Sequence, residues 1–183
     1  EGALWTRDLF RYATTIPDLE RVVVAIDPAG TKSSDADETG IVVAGKVSGE
    51  PTMYYVLGDY SLRGSPNEWA ARAVGAYHKF DADRIVAETN FGGEMVQAVI
   101  KTIDRTVAFR AVHASRGKHL RAEPIVALYE QQRVYHVDNL QMLEDQLCTW
   151  TPLDIHISPD RLDALVWALT ELSDRPMSGV RFL

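Results

Sequence analysis

Two acidic residues stand at the ends of apolar segments rather than on a solvated face. Asp27 follows the β-branched run 22–26, and Glu88 follows the short run 84–87. Both runs are typical of buried strands. If these strands are parallel neighbours in a sheet, both carboxylates emerge at its carboxyl edge, where α/β proteins usually bind ligands.

Two further acids lie at the start of the last predicted helix. Asp160 and Asp163 are three residues apart and share a helix face, and Asp163 stands within the apolar stretch 162–165. Three or four carboxylates converging on one point repel each other strongly unless a cation intervenes. Hard oxygen ligands favour Mg²⁺ or Mn²⁺. Two such ions, about 4 Å apart, can activate a water molecule and stabilise the leaving oxygen of a phosphodiester.

A plain structural interpretation of these acids stays open. It makes Asp27 a turn residue, Asp160 a helix-start acid and Glu88 a charge at a strand end. It accounts for each acid alone but not for their matching positions in the predicted sheet. We therefore take Asp27, Glu88, Asp163 and Asp160 as candidate catalytic and metal-binding residues.

The elements that must position these acids follow a recognisable order. Strands are predicted at 22–26, 40–47, 53–62, 84–87 and 107–112, with helices at 66–80, around 95–100, at 120–131, at 140–147 and after 159. Ser65 and Glu68 form a predicted capping box for the first helix. Three hairpin-linked strands followed by two helix-crossed strands predict an α/β ribonuclease H-like fold, a mixed five-stranded sheet flanked by helices on both faces. Residues 1–20 lack a clean period and are predicted to form an arm that packs on the domain 21–183.

Composition and charge limit the kinds of protein that this chain can be. The chain has 183 residues, 46% of them hydrophobic and 25% charged, which is ordinary for one soluble globular domain. Its one cysteine, Cys148, excludes a disulfide framework and a multi-cysteine zinc site. No apolar run approaches the roughly 18–20 residues of a membrane span. The net charge of −7 alone would argue against a nucleic-acid partner.

The distribution of charge changes that conclusion. Residues 101–121 contain six basic residues and one acidic residue. Within this segment, residues 115–118 are predicted to form a loop that contacts phosphates through backbone N–H groups and cations. Arg116, Lys118 and Arg121 are the candidate DNA-binding residues, and a solvated basic face is the alternative.

Weaker signals favour structural interpretations. Gly92 and Gly93 precede a helix and could cradle a phosphate, but such pairs are more often turns. Asp35, Asp37 and Glu38 are predicted to be solvated loop acids. Trp167 is expected to support the last helix from the core. The histidines lack metal-ligand spacing, which favours surface or core positions for His113, His119, His136 and His156.

The chain resembles the nuclease domain of the large terminase subunit of tailed bacteriophages over residues 2–172. The resemblance is carried by VVVAIDPAGTKSSDADETGIVVAG, RIVAETNFGGEMV, HASRGKHLRAEPIVALYEQQRVYHV, LEDQLCTW and SPDRLDALVWALTEL. It implies a ribonuclease H-like, metal-dependent DNA endonuclease that cuts concatemeric viral DNA at the start and end of genome packaging. The implied cofactors are two Mg²⁺ or Mn²⁺ ions.

The resemblance also implies roles for single residues. The first-strand acid of the family matches Asp27, and the second-site acid matches Glu88, where several relatives have Asp. The last-helix acid falls on Asp163, ahead of Asp160, which lies one turn earlier as in related resolvases. Lys118 and Arg121 are implied to lie near the site and to hold the scissile phosphate.

The expected partners follow from the same resemblance. The printed sequence contains no GxxxxGK[ST] phosphate loop, so ATP hydrolysis is expected elsewhere and the chain is interpreted as an isolated nuclease half. Double-stranded DNA, a terminase ATPase domain, the portal and the small terminase subunit are the implied partners, in the cytoplasm of an infected bacterium. We expect a monomer with low sequence specificity. Two alternatives stay open, a Holliday-junction-type resolvase and a non-cutting DNA-binding or docking module.

Overall fold

The computed structural model describes residues 2–28, 38–89, 93–154 and 158–173. Its strands are β1 (Arg11–Tyr12), β2 (Arg21–Asp27), β3 (Glu38–Val47), β4 (Met53–Asp59), β5 (Leu62–Arg63), β6 (Arg84–Glu88), β7 (Phe109–Val112) and β8 (Val134–His136). Its helices are α1 (Pro66–Lys79), α2 (Gly93–Ile103), α3 (Lys118–Glu130), α4 (Gln141–Thr149) and α5 (Asp160–Ser173). No helix within these ranges is long and apolar enough to cross a membrane.

The strands form one mixed sheet in the order β1-β8-β4-β3-β2-β6-β7, with β5 paired to β3. Strand β3 runs antiparallel to both β2 and β4, whereas β6 is parallel to β2 and to β7. The predicted five-stranded mixed sheet is confirmed as β4, β3, β2, β6 and β7. Two short parallel strands, β8 and β1, extend it beyond β4.

Helices cover both faces of the sheet, as predicted. In β2, Val23 and Ala25 pack into the core formed with α3, α4 and α5, while Val24 and Ile26 pack into the core formed with α1 and α2. A strand buried on both faces needs apolar residues at successive positions rather than alternate ones. This requirement explains the uninterrupted apolar run before Asp27.

The start of α1 has the predicted capping box. The Ser65 hydroxyl accepts a hydrogen bond from the Glu68 N–H, and the Glu68 carboxylate accepts one from the Ser65 N–H at 2.6 Å. Pro66 occupies the first turn, where a missing N–H costs nothing. These local contacts fix the helix that begins the crossover from β5 to β6.

Helix α5 is the central element of the opposite face, and it packs across β2 and β3. Every residue from 160 to 169 is buried, charged ones included. Near its end, the buried Glu171 carboxylate pairs with Arg21, Arg84 and Arg110, which project from three neighbouring strands. The helix is therefore anchored to the sheet by apolar packing and by one shared carboxylate.

Some element boundaries differ from the predicted ones. The predicted strand 53–62 is interrupted after β4, because the Asp59 carboxylate accepts a hydrogen bond from the Ser61 N–H and closes a bend. The chain then continues as β5, paired with the start of β3. Helix α3 begins two residues earlier than predicted, and β7 begins two residues later.

Candidate functional site

Asp27 and Glu88 end neighbouring strands at the carboxyl edge of the sheet. Strands β2 and β6 are parallel with Ile26 opposite Ala87, so the residues that follow, Asp27 and Glu88, stand side by side. The Asp27 side chain is largely buried. The structure thus places together the two strand-end acids identified in the sequence.

The first turn of α5 brings Asp160 and Asp163 to the same edge. Asp163 is only 2% exposed and Asp160 is also buried. Gly40 lies directly opposite Asp27 on β3, and a Cβ atom at Gly40 would overlap the carbonyl oxygen of Asp160. The absence of a side chain at this position lets the helix start rest against the strand beside Asp27.

The three aspartates share one electrostatic environment. Burial first, and then repulsion from Asp163 and Asp160, raise the pKa of Asp27 well above its usual range. Burial likewise raises the pKa of Asp163, against the opposing effect of the Lys118 ammonium group. Burial raises the pKa of Asp160 to about 6, although a hydrogen bond from the Ser158 hydroxyl opposes the shift. The cluster holds more negative charge than its surroundings stabilise.

The first turn of α3 supplies cations to this cluster. Lys118 Nζ lies 2.5 Å from Asp163 Oδ2, and Arg121 Nη1 lies 3.9 Å from Glu88 Oε2. The Arg121 Nε donates a hydrogen bond to the carbonyl oxygen of Arg116, whose own side chain is exposed. Of the three candidate DNA-binding residues, Lys118 and Arg121 therefore reach the acids, while Arg116 lies farther out.

Trp167 has a closer relation to the acids than the sequence suggested. It is buried in the core, as expected, but its indole N–H also donates a hydrogen bond of 3.1 Å to Glu88 Oε2. The Arg121 guanidinium carbon lies 4.7 Å from the Trp167 ring centroid, in a cation–π arrangement. Trp167 therefore contacts both Glu88 and Arg121.

Arg161 was missed by the sequence reasoning. It is 6% exposed, and its guanidinium donates to Asp59 Oδ2 at 2.7 Å and to the Glu38 carboxylate. These bonds tie the first turn of α5 to the ends of β3 and β4. A signal was available, because Arg161 extends the apolar stripe of α5 that contains Leu165 and Leu172, and a cation in such a stripe requires buried acidic partners.

The residues of the cluster suit a divalent cation in donor type and charge. All four acids offer hard oxygen ligands, and three of them have raised pKa values, first because they are buried and then because neighbouring acids repel them. Within the described residues, however, no three acidic, histidine or cysteine side chains are arranged to ligate one ion directly. Binding would therefore require the acids to reorient, with Asp163 exchanging its contact to Lys118 for one to the cation.

The weaker sequence predictions have different outcomes. Four of the residues concerned, Asp35, Asp37, Gly92 and His156, lie outside the described residues. Glu38 is bound to Arg161 rather than fully solvated. His136 is a core residue, as expected, bonded to Tyr129 and Glu144.

Comparisons with known proteins agree on one family and one fold. A family model described as the terminase RNaseH-like domain matches residues 24–172. No sequence among the curated proteins matches the chain significantly.

Solved structures share the fold at low sequence identity. The large terminase nuclease of thermophilic phage G20c matches with a TM-score of 0.68 and 13% identity, over 93% of this chain and 99% of that chain. The P22 large terminase nuclease domain matches with a TM-score of 0.70 and 12% identity, over 92% of this chain and 91% of that one. The large terminase of a second thermophilic bacteriophage matches with a TM-score of 0.63 and 9% identity, and the match covers 90% of this chain but only 42% of that chain. The G20c nuclease has also been solved with bound zinc, magnesium and cobalt.

Proposed function

Because the chain belongs to the terminase RNaseH-like domain family, we propose that it is a divalent-cation-dependent DNA endonuclease. Its fold, which is that of phage large terminase nuclease domains, supports the proposal. In this proposal it cuts concatemeric viral DNA during genome packaging. Cleavage has low sequence specificity, because the basic side chains of Lys118 and Arg121 contact phosphates, which carry no sequence information.

The observation that carries the proposal is a cluster of three buried aspartates that lie close enough to repel one another. Asp27, Asp160 and Asp163 meet at one sheet edge with raised pKa values, and Glu88 stands beside Asp27. A protein that keeps buried, mutually repelling carboxylates loses stability unless a cation compensates them. Such a cluster at the carboxyl edge of a sheet is typical of a catalytic site.

We assign the following roles. Asp27, Glu88 and Asp163 hold the cations, and Asp160 is an auxiliary ligand or a general base. The chemistry that two Mg²⁺ or Mn²⁺ ions would supply is a lowered pKa of an attacking water and charge that stabilises the leaving oxygen. Lys118 and Arg121 orient the scissile phosphate. Metal-bound forms of the G20c nuclease support the use of a divalent cation.

Cleavage of supercoiled plasmid tests the proposal. We expect the purified chain to nick and linearise the plasmid with Mn²⁺ or Mg²⁺, and to be inactive with EDTA. Asp27→Asn should abolish cleavage without changing the fold, whereas the matched control Asp18→Asn, at an exposed position on the N-terminal segment, should cut like the parent. If Asp27→Asn cuts as well as the parent, the assigned cation site is wrong.

The same assay separates the two alternative functions. A four-way DNA junction cut in strong preference to plasmid would favour a resolvase. Absence of cleavage by a folded, DNA-binding chain would favour a non-cutting docking module.

We also propose that residues 1–20 form an arm that packs on a nuclease domain of residues 21–183. Parallel pairing of β1 with β8 supports this, as does the burial of Trp5 against Tyr129 at a centroid distance of 6.0 Å. Because the match covers less than half of the large terminase of the second thermophilic phage, we propose that an ATPase domain belongs to the complete protein. The portal and the small terminase subunit are further proposed partners.

A further inference from the structure

Strand β7 has an unpaired backbone edge in the described part of the chain. It ends the sheet, with β6 as its neighbour on one side. The Ile85 N–H donates to the Ala108 carbonyl and the Thr89 N–H donates to the Val112 carbonyl, so even-numbered residues of this segment face β6. Because backbone groups of a parallel strand alternate in direction, the N–H and C=O of Ala111 point away from the sheet.

A groove of about 700 Å³ runs along this edge between β7, α3 and α5. Three consecutive residues of β7 line it: Arg110, Ala111 and Val112. The Arg110 side chain pairs with Glu171 of α5, so the groove lies on the face of the sheet that carries α3 and α5, beside the edge of β7. Arg110 and Ala111 are both exposed, although they are adjacent in the strand.

The walls of the groove combine apolar and cationic groups. From α3, the side chains of Leu120, Pro124 and Leu128 line it, and Leu120 is 53% exposed. Three arginines, Arg110, Arg116 and Arg121, also line it. Glu171 is the acid among the lining residues, and its carboxylate is buried and shared by three arginines. The groove therefore presents apolar surface and an excess of positive charge beside free backbone groups.

We propose that this groove docks an extended segment of a partner protein as an added strand on β7, with apolar and acidic residues taking turns at the alternate positions that face α3 and α5. Main-chain hydrogen bonds to Ala111 provide affinity, and alternate side chains provide selectivity. Apolar residues of the segment contact Leu120 and Leu128, and its acidic residues contact Arg110 and Arg116. A DNA strand is less suitable, because it would leave the apolar wall and the strand edge unused.

Peptide binding to the full chain tests this inference. The probe is a fluorescein-labelled octapeptide in which valine and glutamate take turns at the odd positions and serine fills the even positions, and its binding is followed by fluorescence anisotropy at low ionic strength. We expect it to bind at least about tenfold more tightly than the same octapeptide with lysine in place of glutamate, because of the charge of the groove. Amide hydrogen exchange should slow in β7 when the glutamate peptide is present.

Two variants locate the contact. Ala111→Pro removes the outward N–H at an edge position that tolerates proline and should weaken binding at least about fivefold, whereas Ala111→Gly keeps the N–H and should bind like the parent. Leu120→Glu changes an exposed helix residue, so it tests the apolar wall even if Ala111→Pro fails to fold, and it should weaken binding similarly.

Other results would overturn the proposal. Equal binding of both peptides, or unchanged binding by Leu120→Glu and folded Ala111→Pro, would exclude the groove as a peptide site. Binding of a labelled dT8 oligonucleotide that both variants abolish, without peptide binding, would make it a DNA path. Dimerisation in sedimentation that the two variants abolish, again without peptide binding, would make it a contact between copies.

Discussion

The ammonium nitrogen of Lys118 lies 2.5 Å from a carboxylate oxygen of Asp163, so a cation from α3 already contacts the most deeply buried acid of the site. The two partners differ in solvent access. The Lys118 side chain is 41% exposed and the Asp163 side chain only 3%. The lysine can therefore leave for solvent or for a phosphate, whereas the acid has little access to solvent.

Replacing this lysine should affect cleavage more than stability. We expect Lys118→Ala to reduce plasmid cleavage about a hundredfold, by analogy with the loss of one group that stabilises developing charge. The free energy of unfolding should change by only about 1 kcal/mol, because the ammonium group is partly solvated and because Asp163, whose pKa burial already raises, binds a proton more readily once the lysine is gone. Lys79→Ala, which removes an exposed lysine from α1, is the matched control. Parallel losses of cleavage rate and thermal midpoint would contradict the assigned role.

The acid cluster should make the metal-free protein less stable as pH rises. A carboxyl group whose pKa is raised on folding contributes stability that is fully present below its unfolded pKa of about 4 and is lost as pH rises through its folded pKa. For Asp160 that loss begins near the unfolded pKa and is complete once the pH exceeds the folded pKa of about 6. In EDTA, Asp160→Asn should therefore gain stability over the parent between pH 4 and 7, by roughly 1 to 3 kcal/mol.

Divalent cations should reverse this effect. Mn²⁺ or Mg²⁺ should raise the thermal midpoint of the parent at pH 7.5, because a ligand of the folded state stabilises it. At pH 4.5 the rise should be much smaller, since protons compete for the same carboxylates. An equal rise at both pH values, or no rise at pH 7.5, would contradict a cation site at Asp27, Asp160 and Asp163.

Arg161 should stabilise the start of α5 through its two acidic partners. Arg161→Met leaves the buried ends of Asp59 and Glu38 without their cation, and we expect a loss of about 3 kcal/mol in urea unfolding. Arg161→Lys should recover only part of this, because one ammonium group cannot reproduce the guanidinium fork. Arg72→Met, at an exposed position on α1, should cost less than about 0.5 kcal/mol. A similar cost for both methionine variants would show that the buried ion pairs contribute little.

The absence of a side chain at Gly40 should be required for the close contact between β3 and the start of α5. Gly40→Ala places a Cβ against the backbone carbonyl of Asp160, and neither strand nor helix can yield easily. We expect a loss of about 1 to 3 kcal/mol in stability and more than about tenfold in cleavage. The control is Gly75→Ala on α1, where a Cβ meets no atom within 4 Å, and it should gain up to about 1 kcal/mol from helix propensity. A harmless Gly40→Ala would mean that the close approach is dispensable.

Local patterns in the sequence were enough to predict the elements that carry the site. The apolar run before Asp27 marked β2, and Ser65 with Glu68 marked the start of α1. Asp27 and Glu88 could be predicted to be neighbours because parallel strands share one carboxyl edge. Each of these inferences needs only a few adjacent residues and one general rule.

Contacts between distant segments could not be predicted in the same way. The pairing of β8 with β4 depends on a strand of only three residues, too few to show a distinctive period. The contacts of Arg161 with Asp59 and Glu38 depend on how α5 crosses the sheet. The hydrogen bond from Trp167 to Glu88 likewise appears only when helix and sheet are assembled. Such contacts follow from the tertiary arrangement rather than from local composition.

The position of α5 in the chain has a consequence for biosynthesis. Asp27 ends an early strand, whereas Asp160 and Asp163 belong to the last described helix, so the acids come together only through contacts of very large sequence separation. Such contacts form late and slowly in folding. A growing or partly folded polypeptide therefore lacks the assembled acids, and the proposed cleavage would begin only after folding is complete.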